Sequence, residues 1–248
     1  MIFATCVAED ESAADGRILY PQVSALGPSA RSRIYWQCAF VSMATLLRCL
    51  PDGKRRIYTN RIPAWLLAKR HWLQWLDRHE IEICEIRFDS CRPPDGMSAT
   101  FKNAFFKHEV IGHLAAEHAA ICCVFDADCL WARRPTRLLL ELHADHAVAL
   151  NLTLGFAPTE LRQGISRAIL GQFFQEIDQE YSEPDAHWFG GEFLAGGSTT
   201  FQRAAIQLKA AHERVRANHA RVLRLPNGQS GFDNDEYVAS LVGIRRGI

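Results

Sequence analysis

Short apolar runs and longer amphipathic stretches alternate along the 248 residues of the chain. Residues 2–8 read as a first strand. Residues 35–50 carry a helical pattern that stops at Pro51-Asp52-Gly53, a turn signal. A short strand follows at 56–60. A helical stretch at 63–77 places Trp65, Trp72 and Trp75 on one face, and 81–88 alternates as a strand does. A helix is expected at 98–117. The run Ala119-Ala120-Ile121-Cys122-Cys123-Val124-Phe125 then ends abruptly in Asp126-Ala127-Asp128, the mark of a strand buried on both faces. Beyond it the pattern predicts a short helix at 137–143, a strand at 147–154, a helix at 159–178, an irregular Gly- and aromatic-rich segment at 187–197, a long helix at 199–221 and a short one at 235–242. The stretch 9–33, rich in Ser, Gly, Asp, Pro and Ala, reads as a long loop. Strands alternating with helices predict an α/β fold with a mostly parallel central sheet flanked by helices.

Composition narrows this picture only a little. The length suits one large domain over residues 1–248, and 48% hydrophobic content supports a real core. Lys plus Arg equal Asp plus Glu at 28 each, so no global field draws in nucleic acid or an anionic membrane. The first residues are apolar but lack a basic leader and a cleavage pattern, and no apolar run reaches bilayer length. A cytoplasmic protein without a transmembrane segment is expected, with peripheral membrane contact left open. The eight cysteines contain no CxxC pair, which favours reduced core thiols over a zinc ribbon or redox site.

The acidic triplet carries the chemistry. Open α/β sheets bind ligands at the carboxyl ends of their strands, where Asp126 and Asp128 stand. Alternate residues of an extended chain point the same way, so the two carboxylates converge on one cation if the chain stays extended. Carboxylate oxygens suit Mg²⁺ or Mn²⁺, and such a cation neutralises a diphosphate leaving group.

An apolar strand ending Val124-Phe125-Asp126-Ala127-Asp128, preceded by a helix beginning Phe101-Lys102-Asn103-Ala104-Phe105-Phe106-Lys107, resembles the GT-A glycosyltransferases, Rossmann-like single domains that use nucleotide-sugar donors. The segment His187-Trp188-Phe189-Gly190-Gly191-Glu192-Phe193-Leu194-Ala195-Gly196-Gly197, a long helix, and then Gly231-Phe232-Asp233-Asn234-Asp235-Glu236-Tyr237 resemble, in that order, the retaining galactosyl- and N-acetylgalactosaminyltransferases of the blood-group type. The resemblance implies a UDP-sugar donor, a Mn²⁺ or Mg²⁺ cofactor, and a carbohydrate or other hydroxyl-bearing acceptor. It implies a nucleotide-binding half over 1–130 and an acceptor half over 131–248. Asp126 and Asp128 would be metal ligands, with Asp126 also on the ribose. Phe3, Ala4 and Cys6 of the first strand, Lys107, Ala127 and Gly196 would line the donor site. Asp235 and Glu236 align with the family's Asp-Glu pair, making Glu236 the catalytic carboxylate, although Asn234 stands where the family has His. Glu192 reads either as a ligand for donor or acceptor hydroxyls or as a surface loop carboxylate.

Other readings compete. A haloacid-dehalogenase-type phosphatase also places DxD after an apolar strand, but on the first strand and with Thr or Val where Leu130 stands. A nucleotidyltransferase would need a Gly-rich phosphate loop where Ala8-Glu9-Asp10-Glu11-Ser12 stands. A GT-A-like binding domain without turnover is a third alternative. His108-Glu109-Val110-Ile111-Gly112-His113 has one residue too many for the HExxH zinc motif; at about 100° per residue its imidazoles diverge by about 140°, and they read, with His118, as solvated. His143-Ala144-Asp145-His146 reads as a helix-end dipole partner. Lys54, Arg55, Arg56, Lys69, Arg70, Arg133 and Arg134 read as solvated charge, the last two standing just beyond the acidic triplet within reach of an anionic acceptor.

Overall fold

In the computed structural model Ile2–Val7 forms β1, with three strands parallel to it in one sheet, β2 (Lys54–Thr59), β3 (Ile81–Glu85) and β4 (Cys122–Phe125). Two more, β5 (Ala147–Asn151) and β6 (Phe189–Gly196), complete a sheet of order β3-β2-β1-β4-β6-β5, in which β6 runs antiparallel to both neighbours. The structure describes residues 1–9, 26–94, 102–117, 119, 121–136, 147–162, 164–179, 181–218 and 235–244. The expected helix at 137–143, the histidines at 143 and 146, His118, and Asp233 and Asn234 lie outside them.

Helices cover both faces, as the unbroken apolar run of β4 requires. Cys123 and Phe125 point into a core shared with α1 (Pro28–Cys49), α2 (Ala64–Leu67) and α3 (Arg70–Arg78), while Cys122 and Val124 point into the opposite core, with α4 (Phe106–Ala116), α5 (Arg167–Ile177), α6 (Ser198–Asn218) and α7 (Asp235–Ile244). Period-2 alternation thus persists although every side chain of the strand is buried. Burying each large apolar side chain stabilises the fold by about 1.5–3 kcal/mol before the entropy of ordering it is subtracted.

Several elements depart from the expectations. Helix α1 begins seven residues before position 35, with Pro28 at its start, where a missing N–H costs nothing and the ring presets φ. Helix α5 begins at Arg167 rather than 159, because Ser166 Oγ accepts the Ile169 N–H at 3.3 Å and caps it there. The tryptophans do not share one helix: Trp65 lies on α2, and Trp72 and Trp75 on α3. All three still pack on the α1-side core, with Phe40 edge-on to Trp72 at 4.2 Å. Arg55 and Arg56 are buried rather than solvated. Arg55 donates to the carbonyls of Leu50 and Pro51, and Arg56 pairs with Glu82 at 2.8 Å and Glu117 at 2.7 Å. All eight cysteines are free thiols, in line with the sequence reading.

The segment expected to be irregular, 187–197, instead contains β6, a strand inside the sheet. The loop expected over 9–33 falls largely on residues 10–25, outside the described residues, but its first residue, Glu9, is held firmly. Its buried carboxylate accepts from Trp36 Nε1 at 2.8 Å and Ser32 Oγ at 2.7 Å, and its backbone exchanges two bonds with the Asn60 amide. These bonds fix the chain as it leaves β1 at the same end of the sheet as the acidic triplet.

Candidate active site at the carboxyl end of the sheet

Strand β4 ends at Phe125, and the chain turns at once: the Cys129 N–H bonds the Asp126 carbonyl at 3.0 Å. The extended conformation that would aim both acids alike is therefore replaced by a turn. Asp126 keeps the direction of Val124, toward α4. Asp128 is exposed, and its charge bears on Cys38 of α1, whose thiol pKa it helps burial to raise.

Antiparallel β6 brings its first residues to this strand end. The register pairs Phe125 with Phe193, and the Asp126 N–H bonds the Glu192 carbonyl at 3.0 Å. The first turn of α7, with Asp235 and Glu236, packs on the same end of β6: the Phe189 N–H donates to Ser240 Oγ at 3.0 Å.

Lys107, in the first turn of α4, joins these elements. Its ammonium contacts Asp126 Oδ1 and the Gly191 carbonyl, and reaches Asp235 Oδ2 at 3.2 Å. Burial opposes its charge, but the two carboxylates hold its pKa well above the ordinary lysine value. Burial raises Asp126 to about 6 despite the opposing Lys107, with the Asp235 charge adding to the rise. Cys6 of β1 lies against this group, its thiol pushed up to about 12 by burial in spite of Lys107.

Glu236 occupies a second spot, beside Trp188. Its Oε2 accepts the Trp188 Nε1–H at 2.8 Å. Burial raises its pKa to about 7; the Trp188 bond pulls it down, the charges of Asp235 and Glu192 push it up, and Arg162 pulls it down. The Trp188 ring is held edge-on to Tyr237 at 5.3 Å, and its backbone N–H is fixed by Thr153 Oγ1 at 2.8 Å.

Gly190 and Gly191 of β6 each seat a carboxylate. A Cβ at Gly190 would sit on Glu192 Oε2, and one at Gly191 would come within 2.7 Å of Asp235 Oδ2. Glycine in a strand commonly marks a close approach of this kind. Glu192 Oε2 is buried and has no hydrogen-bond partner among the described residues, so it is an acceptor left for a ligand hydroxyl or water. Beneath the site, Lys107, Asp235 and His108, with Gly190, Gly191 and Leu194, help line a mostly apolar cavity of about 70 Å³.

The structure thus brings together Cys6, Lys107, Asp126, Glu192, Asp235 and Glu236. Ala127 is buried in the turn, while Phe3 and Ala4 lie in the core in the first half of β1, before its carboxyl end. Gly196 pairs with Cys122 at the opposite end of β4, away from the acids. Trp188 and the Gly191 carbonyl went unread in the sequence. The histidines split: His113 is exposed, as expected, but His108 is buried and bonds His212 of α6, Nδ1 to Nε2, at 2.8 Å. Burial lowers their pKa values to about 3 and about 2, keeping the pair neutral.

Among the described residues no three His, Cys, Asp or Glu side chains gather around a point that could hold a metal. The donor set nonetheless fits a hard divalent cation. Such ions, Mg²⁺ above all, are commonly held by one or two carboxylates plus substrate phosphates and water. Asp126 keeps one oxygen beyond its Lys107 contact, and Asp128 is open to solvent.

No family profile matches the sequence, and no curated protein matches it. Among solved structures, an active-site mutant of LgtC superposes with a TM-score of 0.58 at 12% identity, over 98% of this chain and 70% of that one. The galactosyltransferase LgtC in complex with donor and acceptor sugar analogues gives 0.54 at 11% identity, over 90% of this chain and 66% of that one. Among the described residues no helix is long and apolar enough to cross a membrane. The chain has the GT-A fold of these structures.

Proposed function

We propose that this chain is a metal-dependent glycosyltransferase that moves a sugar from a UDP-sugar to a hydroxyl-bearing acceptor with retention. The observation that carries the reading is the convergence at one strand end of Asp126 with the Asp235-Glu236 pair, bridged by Lys107 across 128 residues of sequence. Sugar transfer needs these two kinds of carboxylate near each other: one to hold the leaving diphosphate through a cation, one to act at the sugar.

Asp126 and Asp128 would hold a Mn²⁺ or Mg²⁺ ion, which when bound neutralises the departing UDP. Glu192 offers its unpartnered oxygen to a sugar hydroxyl. Ionised Glu236 stabilises the positive charge that develops on the sugar, or attacks it, from the side away from the leaving group.

The test is a thermal-shift panel. UDP should raise the melting temperature only with Mn²⁺; at a concentration about 100 times its dissociation constant the gain is about 2.7 kcal/mol, or about 5–10 °C for a chain of this size. Stabilisation by phosphate or a phosphate-ester analogue, and none by UDP, would refute the reading in favour of a phosphatase.

A further inference from the structure

From sequence, Lys107 is a lysine facing the donor. Its surroundings point to another role. An ammonium has three N–H donors and no acceptor, and three acceptors of the chain itself surround this one: Asp126 Oδ1 at the end of β4, the Gly191 carbonyl on β6 and Asp235 Oδ2 in the first turn of α7. The side chain is only 7% exposed, and an ammonium so engaged has no N–H left for a ligand's phosphate.

We propose that Lys107 is a positioning residue, an internal cation that fixes the carboxylates of Asp126 and Asp235 relative to each other, and that the donor diphosphate is not its partner. Its consequence for catalysis rests on the glycosyltransferase reading; the clamp itself does not. Gly191 belongs to the same unit. A Cβ there would meet Asp235 Oδ2 at 2.7 Å and Lys107 Nζ at 3.2 Å, so any side chain at 191 displaces the clamp. Removing the ammonium leaves two carboxylates facing one another with little solvent, which is far worse than never having the pair. Arginine is a poor replacement, because its planar fork does not match three acceptors grouped around a compact ammonium.

The experiment compares wild type with Lys107→Met, Asp235→Asn, their double variant and Lys107→Arg. It reads the melting temperature without metal or nucleotide, and kcat and KM for UDP release from UDP-galactose and UDP-glucose with Mn²⁺. Each single variant should melt lower, and the double variant should lose less than the two losses added, because the second change removes a charge the first left unpaired. In Lys107→Met, kcat should fall by about tenfold or more while KM moves by about threefold at most, with no rescue by Lys107→Arg. Additive melting losses would overturn the proposal. So would a Lys107→Met protein of unchanged melting temperature whose KM rises about tenfold and is restored by arginine, the behaviour of a direct phosphate ligand. Gly191→Ala keeps every charge and serves if Lys107→Met does not fold: a fall in kcat at constant KM supports the clamp, and an unchanged kcat overturns it. If wild type neither binds UDP nor turns over, the functional reading fails, and the melting cycle still decides the clamp.

Discussion

The Glu236→Gln variant should be more stable than wild type at alkaline pH and no more stable in acid. Glu236 has its carboxyl raised from 4.5 to about 7, chiefly by burial, with Asp235 and Glu192 adding to the rise and Trp188 and Arg162 opposing it. At about 1.4 kcal/mol for each pH unit, ionising it in place costs about 3 kcal/mol more than in the unfolded chain. The sign follows from proton uptake. Below pH 4.5 the group is protonated in both states and nothing is lost; between 4.5 and about 7 the native state binds the extra proton, so stability falls as pH rises. Above about 7 the whole penalty is present. Glutamine has no charge to bury, and its carbonyl can still accept the Trp188 Nε1–H that now lies at 2.8 Å. Calorimetric melting at pH 4 and pH 8 should therefore show a gain confined to pH 8, up to about 6–12 °C for a chain of this size. The same variant should lose sugar transfer by about 100-fold or more. An equal effect at both pH values, or a loss of stability at pH 8, would refute the reasoning. A variant of full activity would remove Glu236 from the chemistry.

Three further outcomes follow from single contacts. Asp128 is exposed, so Asp128→Asn alone should change stability by no more than about 0.5 kcal/mol, read by thermal melting, while Mn²⁺-dependent stabilisation by UDP disappears. Trp188→Phe removes the N–H that favours ionised Glu236; a bond to a charged group is worth about 1.5–3 kcal/mol, so the alkaline rise in kcat/KM, centred near pH 7 in wild type, should move up by about one unit or more. Gly171→Ala would put a Cβ 2.6 Å from the Pro184 carbonyl oxygen; backbone there cannot yield as a side chain can, and urea unfolding should show a loss of about 1–3 kcal/mol.

The parts of this architecture that sequence makes legible are those whose neighbours are of one kind. Strand β4 is readable because burial on both faces demands an apolar run, and the acids mark where that burial stops. Arg55 and Arg56 mislead because a residue's charge says nothing about carbonyls at 50 and 51 or about Glu117, which only the folded chain brings to them. His108 misleads for a related reason: helix spacing relates it only to its own helix, while its partner, His212, is 104 residues away. The turn at Asp126 is invisible because Asp-Ala-Asp fits both an extended chain and a turn, and a single backbone bond selects between them.

The most consequential misreading concerns β6, and it explains how the site is assembled. Two glycines amid aromatics read as a loop, since glycine weakens a strand. In this strand they are where Glu192 and Asp235 lay their carboxylates against the backbone. The direction of the strand matters as much as its existence. A parallel β6 would have carried Phe189–Glu192 to the amino end of β4, beside Cys122, where Gly196 now pairs. Running antiparallel, it delivers Glu192 across from Asp126, the Gly191 carbonyl to Lys107, and Trp188 to Glu236. The one reversal in an otherwise parallel core brings the acid at the end of β4 and the Asp-Glu pair to the same end of the sheet, and the glycines let them come close.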